Sequence, residues 1–360
     1  MAEFIRAGVV AFLWWVMALL ALVPGPASAQ SGKTASRVSF RPVGVPPDVA
    51  VAGFEVNGPA AARYYLLGKL EATASRMVIF VPGSGCDGAF ALGADGHAKA
   101  GPEAFALKYA TEAKLVVLEA PGIPRQFAAP EHGLSRGCPT SFLTHSDMDN
   151  LLASYRTAVD DALSTSDGRI RVLMFVGVSD GAVTAAALAR VYKQTTHITL
   201  ISGFGSDQVT SQVDDLVGAV LDAPSKSEPR QALASFTSRL NAIREKPAAN
   251  VSWRGQTEVH WASTAGRASS IEVAALPLAV KTFLVQGGAD MSWPAANFRR
   301  GLADLLVAGR HTWIRYIPCA DHHLICPDEG GAPKNLANAV DSAVGWFIDG
   351  RPAPDWELLP

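Results

Sequence analysis

Arg171-Val-Leu-Met-Phe-Val-Gly177-Val178-Ser179-Asp180-Gly181-Ala182-Val-Thr-Ala-Ala-Ala-Leu-Ala-Arg190 is the stretch that decides the fold. Its first part is an unbroken apolar run, the pattern of a strand buried on both faces. Its last part reads as a helix. Between them stands Gly-x-Ser-x-Gly. A sharp strand-to-helix turn holds its serine in strained backbone geometry, and side chains at the two flanking glycine positions would collide. The five letters alone are weak evidence, but their place between a strong strand and a strong helix makes Ser179 a candidate nucleophile. The helix that follows aims its N-terminal amides and positive dipole end at an oxygen where charge would develop.

A hydroxyl is a poor nucleophile near neutral pH, so a histidine must take its proton and a carboxylate must fix the histidine's tautomer. Downstream, Phe283-Leu-Val-Gln-Gly-Gly-Ala-Asp290 is an apolar strand ending in Asp290, and Ile317-Pro-Cys-Ala-Asp-His322-His323 follows the next one. Parallel strands deliver their C-terminal ends to one side of a sheet, so Ser179, Asp290 and His322 can converge. His323 stands one residue away and remains an alternative base, while Asp321 can cap or salt-link the loop. An oxyanion needs two backbone donors. Asp180, after the nucleophile, is one expected donor. Ser84 is the other, in the glycine-rich turn Pro82-Gly83-Ser84-Gly85 that follows an apolar run at 77–81. Loss of one such donor costs about 3 kcal/mol in the transition state.

Outward from this centre, apolar runs at 77–81, 115–118, 170–177, 197–202, 281–286 and 312–317 alternate with helical stretches at 102–110, 147–163, 182–192, 295–307 and 336–347. Such a rhythm implies the α/β class: a mostly parallel central sheet flanked by helices, with right-handed crossovers. Early strands are expected at 37–42, 49–56 and 64–67. The rhythm pauses at about 204–277, where Val209, Val213, Leu216, Val217 and Val220 fit one helical stripe and Leu233, Phe236, Leu240 and Ile243 another. This reads as a helical cap insertion in a single domain over 30–360. Its Trp253 and Trp261 read as packing rather than substrate contacts, and its His260, like His145, as an ordinary histidine.

The chain has 360 residues, 49% of them hydrophobic and 18% charged, enough to bury a sizeable core. Thirty-one basic against 33 acidic residues, with no long block of one sign, leave no nucleic-acid footprint. Arg6, an apolar run, and Ala27-Ser28-Ala29 have the grammar of a secretory signal, so residues 1–29 read as a signal peptide cleaved after Ala29. An uncleaved membrane anchor is the alternative; no other segment is apolar enough to span a bilayer. Export makes two disulfides available to Cys86, Cys138, Cys319 and Cys326. Of three connectivities, Cys86–Cys138 with Cys319–Cys326 is expected, against buried free thiols. No C-x-x-C spacing suggests a metal site.

At the nucleophile, acid, histidine and oxyanion turn, in that family's order, the chain resembles the α/β-hydrolase superfamily over about residues 70–350. The resemblance implies Ser179 as nucleophile, Asp290 as acid after the strand following the cap, and His322 as base. Pro82-Gly83 stands where the family often has His-Gly, and no HGGG run is present, which sets the chain apart from the lipase-like branch. The expected activity is that of an exported serine hydrolase acting on a small-molecule ester or related acyl substrate, with no metal or organic cofactor because side chains and water suffice. Two rivals remain: a peptidase of prolyl-oligopeptidase type, which usually adds an N-terminal propeller for which too few residues precede the sheet, and a catalytically silent binder of a small apolar ligand.

Overall fold

The apolar runs form a ten-stranded sheet. Along the chain its strands are β1 (Ser36–Phe40), β2 (Val51–Asn57), β3 (Ala62–Leu67), β4 (Arg76–Val81), β5 (Ala113–Glu119), β6 (Val172–Val178), β7 (Thr195–Ile201), β8 (Lys281–Gly287), β9 (Thr312–Ile317) and β10 (Glu357–Leu359). The computed structural model describes residues 36–57, 61–68, 74–327 and 334–359. The expected signal segment, residues 1–29, lies outside them. Spatially the order is β1-β2-β3-β5-β4-β6-β7-β8-β9-β10. From β5 to β9 every neighbouring pair is parallel. An antiparallel meander, β1 to β3, extends one edge and β10 the other.

Because side chains alternate across a strand, each central strand feeds two cores. Ile79, Phe175 and Leu284 face one, with Tyr155, Ala185 and Phe298 from helices on that side. Val78, Met174 and Phe283 face the other, with Val340, Val344 and Phe347. The longer helices, around the sheet and in the insertion between β7 and β8, are α1 (Met148–Ser164), α2 (Gly181–Val191), α3 (Gln208–Asp222), α4 (Glu228–Glu245), α5 (Glu258–Thr264), α6 (Ser269–Ala274), α7 (Ala295–Val307) and α8 (Lys334–Asp349). A buried Phe or Leu contributes about 1.5–3 kcal/mol relative to exposure, so these two layers hold the strand ends rigidly. Sheet and helices thus have the mostly parallel, flanked arrangement read from the sequence.

The expected helix at 102–110 is instead a 3₁₀ helix, Pro102–Tyr109. Its tighter opening turn is tied by Glu103 Oε1, which accepts from the Gly101 N–H at 2.9 Å. Between β7 and β8 the chain builds α3 to α6 and a small hairpin, Ser252–Trp253 with Gln256–Thr257. Phe236, Leu240 and Ile243 of α4 pack with Val209 and Trp261 in a cluster of their own. The α3 stripe is buried only at Val209, while Val217 faces solvent. Trp261 donates to the Trp253 carbonyl oxygen at 2.8 Å and packs on its ring, the packing role expected. Asp147, Asp207 and Thr257 cap α1, α3 and α5 by accepting from Asn150, Thr210 and His260 N–H groups, each such cap being worth about 1 kcal/mol.

Candidate active site

Ser179 has φ +54°, a left-handed conformation that costs a residue with a Cβ on the order of 1–3 kcal/mol. Its surroundings hold it there. The Ser179 N–H donates to Ile201 O at 2.8 Å, and Ala182 N–H donates to Ser179 O at 2.9 Å. A methyl on Gly177 would stand 2.4 Å from Gly181 O, and one on Gly181 would stand 2.3 Å from Pro82 O. Both glycines are therefore required, for the steric reason the motif implies. Gly203, just after β7, was not picked out by sequence reasoning; a methyl there would lie 2.0 Å from Ser179 O.

The ends of β6, β8 and β9 bring three side chains together. His322 Nε2 lies 2.9 Å from Ser179 Oγ, and His322 Nδ1 lies 2.8 Å from Asp290 Oδ2. Asp290 is buried, and Oδ1 accepts from the Ser292 and Trp293 N–H groups, each at 2.8 Å. Gln286 Nε2 donates to Oδ2 at 3.1 Å. An acceptor so occupied is fixed in direction, so the imidazole it orients is fixed too. His323 is exposed, its N–H is held by Asp321 Oδ1 at 2.9 Å, and its ring centre is 5.7 Å from that of His322. The fold thus brings His322, not His323, to Ser179. Asp321 caps this loop, also accepting from Ile325 N–H at 2.9 Å. A Cys319–Cys326 disulfide closes the same loop, and Cys86–Cys138 joins the turn after β4 to the segment before α1.

Ser179 opens on a cavity of about 820 Å³, within the range of small-molecule sites. Ser84 and Asp180 line it, and Gly83 brings the turn after β4 against the nucleophile, a methyl there falling 3.2 Å from Ser179 Cβ. Among the described residues, neither the Ser84 nor the Asp180 N–H has an internal acceptor. Other polar groups on the wall gave no signal in the sequence. His132 Nδ1 meets Asp87 Oδ2 at 2.6 Å; this bond raises the His132 pKa above its usual value. Glu119, at the end of β5, is paired with Arg63, yet burial still pushes its carboxyl up. It receives the Ala89 N–H at 3.0 Å and so steadies the loop after β4. Trp261 also reaches the cavity wall, beside Arg254 and Gln256 of the hairpin.

A parallel sheet of this order, with the strained serine at the end of its central strand, is the α/β-hydrolase fold. Two solved structures superpose on it: Pyrococcus horikoshii acylaminoacyl peptidase, at TM-score 0.51 and 10% identity over 84% of this chain and 41% of that one, and an acylaminoacyl peptidase bound to Z-Gly-Gly-Phe-chloromethyl ketone, at 0.50 and 10% over 90% and 42%. This chain therefore spans well under half the length of either peptidase. The esterase domain of a Rhodothermus marinus protein superposes at 0.45, with 12% identity over 84% of this chain and 99% of that domain. No protein-family model matches the chain, and no curated protein matches it in sequence. At such identities the likeness speaks for the fold alone.

Proposed function

We propose that this protein is an exported serine hydrolase that cleaves a carboxylic ester, or a related acyl compound, through an acyl-enzyme on Ser179. One observation carries the reading: Asp290, His322 and Ser179 form an unbroken hydrogen-bonded chain that ends in a cavity. In this reading Ser179 Oγ attacks the acyl carbon as His322 Nε2 takes its proton, and Asp290 stabilises the imidazolium. The oxyanion is received by the Asp180 and Ser84 N–H groups. Collapse expels the alkoxide, which leaves with the proton from His322. Water then repeats the attack with His322 as base, freeing the acid and restoring Ser179. Export is supported by the reading of residues 1–29 as a signal peptide and by two disulfides, which fit an extracellular environment. Residues 204–277 act, in this proposal, as the cap that shapes substrate choice.

The test is turnover of p-nitrophenyl esters of increasing acyl length, and of matching anilides, with fluorophosphonate labelling. Ser179→Ala, Asp290→Asn and His322→Ala are expected to lose on the order of 10⁴-fold in kcat while remaining folded, and His323→Ala to stay within about tenfold. Anilides cleaved as fast as esters would favour the peptidase reading. A folded wild-type protein inert to every ester, every anilide and the probe would replace the hydrolase with a silent binding protein.

A further inference from the structure

Among the described residues, Asp180 leaves its backbone N–H free toward the cavity but is tied through its side chain. Its buried carboxylate places Oδ2 3.4 Å from Nε2 of His260, a charge contact rather than a tight hydrogen bond. His260 is 2% exposed, and its Nδ1 stands 3.1 Å from the carbonyl oxygen of Ser146. A carbonyl only accepts, so Nδ1 carries a hydrogen. Were the ring neutral, its Nε2 lone pair would face the Asp180 carboxylate. A proton on Nε2 removes that clash and leaves an imidazolium with an acceptor at each nitrogen.

We infer that Asp180 and His260 form a buried ion pair that positions the nucleophile turn, tying it to α5 and holding the Asp180 N–H where the oxyanion develops. His260 is thereby a positioning residue for the reaction. Burial alone pulls its pKa down, but Asp180, the Ser146 carbonyl and the Asp147 carboxylate outweigh it and raise it. The other titratable neighbours do not compete for the proton. Tyr155 of α1, near Asp180, is a phenol whose pKa burial drives far up. Glu258, on α5 itself, is paired with Arg239 and accepts the Ala248 N–H at 2.9 Å. Loss of the Nε2 proton at alkaline pH leaves the carboxylate facing a lone pair in a dry site, and the turn must move. The consequence is a fall in kcat at high pH with KM little changed.

The kinetic half of this inference rests on the hydrolase reading; the ion pair itself does not. The experiment combines ¹⁵N NMR titration of the His260 ring with the pH dependence of ester kcat and of fluorophosphonate labelling, in the wild type, Asp180→Asn, His260→Gln and the double variant. In the wild type the ring is expected to be doubly protonated at neutral pH and to lose its second proton only above the ordinary imidazole range. In Asp180→Asn, where burial is no longer opposed by that charge, the ring should become neutral at a lower pH than in the wild type, and the alkaline limb should disappear. His260→Gln strands the carboxylate and is expected to slow labelling about 10²-fold, the double variant recovering about tenfold. A wild-type ring already neutral at pH 7 overturns the inference. So do variants whose labelling rates and pH profiles match the wild type. If His260→Gln does not fold, Asp180→Asn, equal in size, carries the test alone. A wild type that neither labels nor turns over refutes the hydrolase reading, and the ring titration still decides the ion pair.

Discussion

Gly203 and Gly218 show how differently one missing methyl group acts. At Gly203 a Cβ would stand 2.0 Å from Ser179 O and 2.7 Å from Ala182 Cβ. Neither atom belongs to a flexible side chain, so the whole nucleophile turn must shift. Gly203→Ala is therefore expected to cost about 1–3 kcal/mol, the usual penalty of overpacking, and to slow fluorophosphonate labelling of Ser179 as well. Gly218 lies inside α3, where a Cβ meets nothing within 4 Å. There alanine removes only the helix penalty of glycine, so Gly218→Ala is expected to stabilise by about 0.5–1 kcal/mol and leave labelling alone. Urea unfolding of both variants checks this, and two substitutions of equal effect would mean that the close approach at Gly203 is not a constraint.

The two disulfides act on elements of different reach. Cys86–Cys138 closes a separation of 52 residues and Cys319–Cys326 one of 7. Loop-closure entropy gives about 4 kcal/mol for the first and about 2 kcal/mol for the second. Replacing Cys319 and Cys326 by serine is expected to cost the smaller amount but to slow Ser179 labelling, because the short loop carries His322. Replacing Cys86 and Cys138 by alanine should cost more stability. Equal labelling rates in the two double variants would separate the His322 loop from its staple. The compartment allowed two disulfides but left three connectivities open, and the fold forms the expected one; the Ser179–Asp290–His322 alignment was legible because a nucleophile, an acid and a base stand in turn beyond the ends of parallel strands. Asp180–His260 and Asp87–His132 were not legible. Asp180 stands in the Gly-x-Ser-x-Gly motif, but His260, Asp87 and His132 carry no local pattern, and only the packing of α5 and of the loops after β4 and β5 brings the partners together. At 102–110 the helical stretch was legible but its 3₁₀ type was not.

At the scale of the whole molecule, two buried groups set opposing responses of stability to pH. Glu103 sits in the cavity wall without a cationic partner among the described residues, and burial pushes its carboxyl up to about 7. In the unfolded chain it ionises near 4.5. Between those values the folded state holds a proton that the unfolded state has released, so stability falls as pH rises through this window, by about 3 kcal/mol in all. His197, packed against the rings of Trp346 and Phe347, is driven the other way: burial, with help from Lys281 and Arg76, lowers it from 6.5 to about 4. There the unfolded chain binds the proton first, and stability is lost as pH falls from about 6.5 to 4, again by about 3 kcal/mol. The two windows nearly coincide, so their contributions offset each other in the native protein. Each single variant should expose the other group. Glu103→Gln keeps an acceptor for the Gly101 N–H and is expected to gain about 3 kcal/mol at pH 8 but little at pH 4. His197→Phe is expected to gain relative stability as pH falls, whatever constant offset its altered packing adds. Urea midpoints measured from pH 4 to pH 8 decide the matter. If the Glu103→Gln curve runs parallel to that of the wild type, Glu103 is not protonated in the folded protein near neutrality, and the balance between the two groups does not exist.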